Sequence, residues 1–131
     1  MQSIIHKIKI IFVFSLLISL IISCNIKTEF ENQTVLKINL IDKKSRHLRI
    51  NMFDTIVVRK QEIGYLKKTF EKVGEYITDS EGSVKIEIDT SKIYDISVSG
   101  KNIYGGDIYY PVYLKSVKEV NIEVISIENS D

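Results

Sequence analysis

Hydrophobic and polar residues alternate strictly along four stretches of the chain. The apolar positions of these stretches are Leu36, Ile38 and Leu40; Val84, Ile86 and Ile88; Tyr94, Ile96 and Val98; and Val120, Ile122 and Val124. A period of two residues is typical of strands that bury one face, as strands of antiparallel sheets do. The pattern therefore predicts an all-β fold built from antiparallel strands.

Turn-forming residues separate these strands. Asp79-Ser80-Glu81-Gly82 predicts a hairpin connection in which Gly82 has a positive φ. Ser99-Gly100-Lys101-Asn102 ends the third stretch, and Gly105-Gly106-Asp107 indicates a further loop. Near the C-terminus the apolar positions shift to Ile125 and Ile127, which indicates a bulge or a change of the covered face.

Two regions are less regular. Thr55 to Arg59 predicts another strand, whereas residues 61–74 are too charged and irregular for an assignment. Pro111 lies inside the segment from Ile108 to Leu114 and predicts either an edge strand or a broken one there.

The first 23 residues have the pattern of a signal peptide. Lys7 and Lys9 form a basic start, and the uncharged residues 10–22 follow, interrupted by two serines. A bilayer span needs about 20 apolar residues, so this run suits a cleaved leader better than an uncleaved membrane helix, the alternative.

The sequence Ile21-Ile22-Ser23-Cys24 resembles the lipobox of bacterial lipoproteins. This resemblance implies that the Cys24 thiol is acylated and that cleavage leaves Cys24 as the first residue; an incidental thiol is the alternative. It also implies a membrane partner through an N-terminal lipid anchor. Because Asn25 rather than Asp follows the cysteine, the outer membrane is the expected location, with its periplasmic or surface face undecided.

Composition supports a β fold and argues against two classes of partner. The chain has 24 Ile and no Ala, which favours strands over helices. Without Lys7 and Lys9 it has 16 basic and 17 acidic residues, a net charge of −1. This balance gives no reason to expect nucleic acid, or an anionic membrane surface, as the main partner.

Two segments, residues 75–86 and residues 94–100, resemble the second half of a carboxypeptidase regulatory-like domain. The resemblance implies a small seven-stranded, transthyretin-like β-sandwich that serves as a folding, docking or adhesion module. Residues 43–54 depart from the family because they lack its turn with Pro and Gly. The expected organisation is a signal peptide over 1–23, a lipidated tether over 24–34 and a β-sandwich over 35–128.

Few residues of the sequence could support catalysis or bind a metal. His47 is the only histidine after the leader and is expected to be a surface loop residue. The pairs Asp79/Glu81 and Glu87/Asp89 have the chemistry for calcium, but a turn and an exposed strand face explain them. We therefore expect no catalytic residue, no metal and no cofactor.

The aromatic residues are the distinctive feature. Tyr104, Tyr109, Tyr110 and Tyr113 lie within ten residues of one another, with Tyr109 and Tyr113 expected on one strand face and Tyr110 on the other. They indicate a partner-binding surface, with packing on an edge strand as the alternative. The predicted function is a non-enzymatic interaction or accessory module that binds an envelope protein; a carbohydrate-binding module and a small hydrolase are the alternatives.

Overall fold

The computed structural model describes residues 1–15, 31–64 and 67–127. It divides into two compact units, Met1–Gln33 and Thr34–Asp131. In the first unit, residues 2–15 are helical. Among the residues that the structure describes, no helix combines the length and apolarity needed to cross a membrane. The predicted cleavage site, Cys24 and most of the tether lie outside the described residues.

The second unit contains seven strands and one short helix. The strands are β1 (Gln33–Asp42), β2 (Thr55–Ile63), β3 (Lys68–Ile77), β4 (Ser83–Asp89), β5 (Tyr94–Gly100), β6 (Ile103–Tyr109) and β7 (Glu119–Ser126), and the short helix is Pro111–Leu114. The prediction of a seven-stranded all-β fold is confirmed. The four alternating stretches form β1, β4, β5 and β7.

The strands form one curled sheet in the order β3-β2-β5-β6-β7-β1-β4. β6 pairs with β7 at two positions, Ile103 with Ser126 and Tyr104 with Ile125, and there the sheet passes from one layer to the other. Both layers contribute to a single core made of Leu36, Ile38, Leu40, Ile56, Val58, Ile86, Ile88, Tyr94, Ile96, Val98, Tyr109, Leu114, Val120, Ile122 and Val124.

The pairing of β1 with β7 is parallel, whereas the alternating pattern predicted antiparallel strands throughout. Lys37 pairs with Glu119 and Asp42 with Val124. Alternation shows which face of a strand is buried and does not show the direction of its neighbour. A hairpin turn would fix that direction, but almost the whole domain separates these two strands along the chain.

The turn at 79–82 is present, but the predicted hairpin is wrong. β3 and β4 lie at opposite ends of the strand order, so this connection crosses between the layers. The φ of Gly82 is +77°, as predicted. Turn chemistry therefore sets the local reversal of the chain, and core packing decides which strands pair.

The loop predicted at Gly105-Gly106-Asp107 is also wrong, because these residues lie inside β6. Both glycines are needed for close approach of backbones. A Cβ on Gly105 would collide with the carbonyl oxygen of Glu123, and one on Gly106 would lie 2.9 Å from that of Ile96. Glycine inside a strand commonly marks such a contact.

The unassigned segment 61–74 contains the end of β2, Gln61 to Ile63, and most of β3, from Lys68 to Gly74. Most of β3 is exposed on both faces, so its sequence has no alternation to detect. The pairing of β2 with β3 also shifts register between Val58 and Arg59. At the other uncertain segment, the prediction of a broken strand is confirmed. β6 ends at Tyr109 and Pro111 begins the short helix, which buried Leu114 anchors to the core.

Candidate functional site

The connections between strands fall at two ends of the domain. We call the end at which β1 begins the proximal end; it contains the connections 64–67, 90–93 and 110–118. We call the end at which β1 finishes the distal end; it contains the connections 43–54, 78–82 and 101–102. The two ends have different side chains and are described in turn.

The distal loop, residues 43–54, is built around a buried ion pair. Arg49 and Asp54 are each 7% exposed. The Arg49 Nε lies 2.7 Å from the Asp54 Oδ2, and Nη2 lies 3.1 Å from Oδ1, a bidentate arrangement. The hydrogen bonds that the guanidinium donates to Asp54 raise the pKa of Arg49 above its ordinary value, while burial acts in the opposite direction. The two hydrogen bonds fix the guanidinium against the Asp54 carboxylate.

Backbone hydrogen bonds also fix the loop. The Arg49 N–H donates to the carbonyl of Leu40 at 2.9 Å. The Asp54 N–H donates to the Thr78 hydroxyl at 2.9 Å, and the Thr78 N–H donates back to the Asp54 carbonyl at 3.0 Å. The Asn51 N–H donates to the carbonyl of Ser80 at 2.9 Å. The loop is thus attached both to β1 and to the connection 78–82.

Apolar side chains of this loop face solvent. Leu48, Ile50, Met52 and Phe53, which we call the apolar quartet, are 44–58% exposed. Phe53 also has a φ of +50°, and a bulky residue rarely adopts positive φ. The loop buries a charged pair and exposes hydrophobic residues, the reverse of the usual distribution. Strained backbone and exposed apolar groups of this kind are typical of binding sites.

His47 lies exposed in the same loop, as predicted. The carboxylates considered for calcium also have local roles. The Asp79 Oδ1 accepts hydrogen bonds from the N–H groups of Glu81 and Ser83, at 2.9 and 3.0 Å, and so stabilises its own turn. The Asp89 carboxylate accepts hydrogen bonds from the N–H and hydroxyl of Ser91. The described residues contain no group of three or more His, Cys, Asp and Glu suited to a metal.

The structure does not bring the four tyrosines together. Tyr104 is exposed near the distal end, and Tyr110 and Tyr113 are exposed at the proximal end. Tyr109 is buried in the core. The rings of Tyr109 and Tyr113 do stack, with centroids 6.0 Å apart. Their contact arises from the helical turn that begins at Pro111, not from a shared strand face, so that part of the prediction is wrong.

Burial of Tyr109 makes stability depend on pH under alkaline conditions. Desolvation, followed by the nearby Asp107 carboxylate, raises the pKa of the Tyr109 phenol above its ordinary value of 10. Because the folded state favours the neutral phenol, this contribution is complete below pH 10 and is lost as the pH rises towards the folded-state pKa.

We therefore expect Tyr109→Phe to reduce the alkaline loss of stability by about 1 kcal/mol near pH 11. Urea unfolding at about pH 9 and about pH 11 measures the difference. Tyr104→Phe, at an exposed ring, is the control. Equal alkaline losses in the two variants would contradict the expectation.

Buried polar groups that the sequence did not predict also hold the site. Asn39 is buried; its Oδ1 accepts a hydrogen bond from the Ser83 hydroxyl at 2.7 Å, and its Nδ2 donates to Asn121 at 2.9 Å and to Glu119. This network joins β4, β1 and β7. No signal in the sequence distinguishes Asn39 or Arg49 from polar residues on a solvated face.

Comparisons with known proteins do not assign the chain to a group. No family model, no curated protein and no solved structure matches it. The resemblances to bacterial lipoproteins and to carboxypeptidase regulatory-like domains therefore stay predictions from the sequence.

Proposed function

We propose that the chain is an envelope lipoprotein, anchored in the outer membrane through Cys24, whose β-domain is a non-enzymatic interaction module. The observation that supports a docking role is the distal loop, which exposes the apolar quartet above the buried Arg49–Asp54 pair. The partner that this surface suits is an envelope protein with an apolar pocket. No feature of the described site favours nucleic acid.

The energetics of the loop support docking. Burying a large apolar side chain is worth about 1.5–3 kcal/mol, and each residue of the quartet has about half of its surface available. The ion pair and the backbone hydrogen bonds already hold the loop, so the loop would lose little conformational entropy when a partner binds. A rigid apolar protrusion is the kind of surface in which a few residues supply most of the affinity.

The experiment places a photo-crosslinking residue at Met52 in intact cells. We expect a specific crosslinked envelope protein that is absent when the same residue replaces Val73, which is similarly exposed on β3. Ile50→Asp should weaken formation of that adduct about tenfold, because truncating or charging a central apolar contact commonly costs 1–2 kcal/mol. Val73→Asp is the matched substitution. Adducts of equal yield at both positions would contradict docking by the distal loop.

Cys24→Ser tests the anchor. We expect this change to abolish incorporation of labelled fatty acid and to leave an uncleaved or mis-sorted precursor, because the thiol is the proposed acyl acceptor. Metabolic labelling followed by gel analysis measures both effects. The substitution Ser23→Ala keeps a small residue before the cysteine and should preserve acylation. Fatty acid in the Cys24→Ser protein would refute the lipoprotein proposal.

A carbohydrate ligand is the second candidate, favoured by the exposed Tyr110 and by the Tyr109–Tyr113 stack beside it. Aromatic rings offer large contact areas at low entropic cost. Saturable binding of a glycan that is lost in Tyr110→Ala and kept in Tyr104→Ala would favour this candidate.

A further inference from the structure

The charged side chains in the connections at the proximal end are all positive. These connections, 64–67, 90–93 and 110–118, contain Lys67, Lys92, Lys115 and Lys118 and no Asp or Glu. The distal connections contain both signs: five basic residues, Lys43, Lys44, Arg46, Arg49 and Lys101, and three acidic ones, Asp54, Asp79 and Glu81. The net charge of −1 for the mature chain therefore conceals a basic end.

Acidic residues also lie near the proximal connections: Glu31 just before β1 and Asp107 near the end of β6 are exposed, whereas Glu119, Asp89 and Glu62 have local partners. Glu119 accepts a hydrogen bond from Asn39 and lies 3.8 Å from the Lys37 ammonium. The Asp89 carboxylate caps its own turn, and Glu62 lies 2.8 Å from the Lys60 ammonium. The charged residues of the connections themselves are all basic, with these carboxylates beside them.

The same end exposes apolar and aromatic groups around the short helix. Leu114 is buried and anchors the helix, which directs Tyr110, Val112 and Tyr113 to solvent. Val112 is 86% exposed. Lys115 and Lys118 follow immediately, and the turn with Lys92 is adjacent because Tyr94 pairs with Tyr109. Tyrosine, an aliphatic residue and lysine together form the proximal surface, which we define as Lys92, Tyr110, Val112, Tyr113, Lys115 and Lys118.

We propose that this proximal surface lies on a bilayer of acidic phospholipids, with Tyr110, Val112 and Tyr113 at headgroup depth and the lysines against the phosphates. The proposal rests on the acylation of Cys24 proposed above. Tyrosine is enriched at membrane interfaces, and each lysine near an anionic surface contributes about 1 kcal/mol.

The path of the chain favours a bilayer over another occupant. β1 begins at the proximal end, and its first residue, Gln33, follows Cys24 by nine positions. An acyl anchor at Cys24 would thus be joined to the domain at this end. Contact with the membrane would fix the orientation of the domain and present the apolar quartet away from the bilayer. The charge and the attachment point therefore give one consistent arrangement.

The experiment measures how deeply fluorescent labels on the anchored full-length protein enter the bilayer. A fluorophore sensitive to polarity is attached to Val112→Cys or, at the distal end, to Met52→Cys, and each protein is reconstituted in phosphatidylethanolamine–phosphatidylglycerol vesicles that contain a lipid quencher. We expect a blue shift and quenching at position 112 and neither at position 52. In vesicles of phosphatidylcholine alone the quenching at 112 should fall.

Charge variants test the role of lysine. Lys115→Gln combined with Lys118→Gln should lower the ratio of docked to undocked domain about 20- to 30-fold, which corresponds to about 1 kcal/mol for each lysine. Lys43→Gln combined with Lys101→Gln makes the same charge change at the distal end and should leave the ratio unchanged. Equal effects of the two double variants would overturn the role of the proximal lysines.

Three results would overturn the proposal: equal emission at both label positions, quenching at 52 instead of 112, or a response at 112 to soluble glycan fragments with none to vesicles. The anchor is judged separately. If the unmodified protein takes up the thiol label, Cys24 is free and the anchor proposal fails. The contrast between positions 112 and 52, measured in Cys24→Ser proteins, then still decides the contact surface.

Discussion

Arg49→Met is expected to lower the free energy of unfolding by about 3 kcal/mol. The substitution leaves the Asp54 carboxylate buried without the guanidinium that now binds it through two hydrogen bonds, at 2.7 and 3.1 Å. Removing one member of a buried ion pair typically costs about 3–5 kcal/mol because the remaining charge keeps its desolvation penalty. Urea unfolding followed by circular dichroism measures the change.

A double variant separates the loss of the pair from the loss of packing. Arg49→Met combined with Asp54→Leu removes both charges, and replacement of a buried ion pair by apolar residues is often neutral or stabilising. We therefore expect the double variant to recover most of the stability that Arg49→Met loses. Arg46→Met, at an exposed arginine that pairs with Glu123, should change stability by less than about 1 kcal/mol. A double variant less stable than Arg49→Met would contradict the assignment of the cost to an isolated charge.

The strands that the sequence predicted are those with one buried face. β4 and β5 show this most clearly, since apolar side chains such as Ile86 and Ile96 are buried and their neighbours on the opposite face are more exposed. β3 has no comparable pattern because most of its residues are exposed on both faces. Periodicity therefore reports burial, and a strand without a buried face leaves no periodic signal.

The site was harder to predict because it depends on contacts between distant segments. Arg49 is buried only because β1 and the connection 78–82 both bind the distal loop, as the hydrogen bonds of Leu40 and Thr78 show. The tyrosines were grouped by their closeness in sequence, but the extended strand β6 places Tyr104 and Tyr110 at opposite ends of the domain. Neither arrangement can be predicted from the hydrophobic and polar pattern of the nearby sequence.

Gly82 has the positive φ that the sequence predicted, and it also lies against the backbone of the distal loop. Its φ of +77° is the conformation expected from the turn Asp79–Gly82, and its N–H donates to the Asp79 carbonyl at 3.1 Å. The structure adds a second constraint, because a Cβ at this position would lie 2.8 Å from the carbonyl oxygen of Arg49. That oxygen belongs to backbone and can move only if the distal loop moves.

We therefore expect Gly82→Val to lower the free energy of unfolding by about 3 kcal/mol or more, since backbone strain of this kind costs about 1–3 kcal/mol and the collision adds to it. The turn alone would account for roughly 1–2 kcal/mol. Gly82→Asn tolerates the positive φ but still carries a Cβ, so it should retain the part of the loss that comes from the collision. Asn102→Gly, at a residue whose φ is already +59°, should stay within about 0.5 kcal/mol of the unmodified protein. Urea unfolding of the three variants measures these differences, and if Gly82→Asn restored full stability, the close approach of Gly82 to Arg49 would carry no cost.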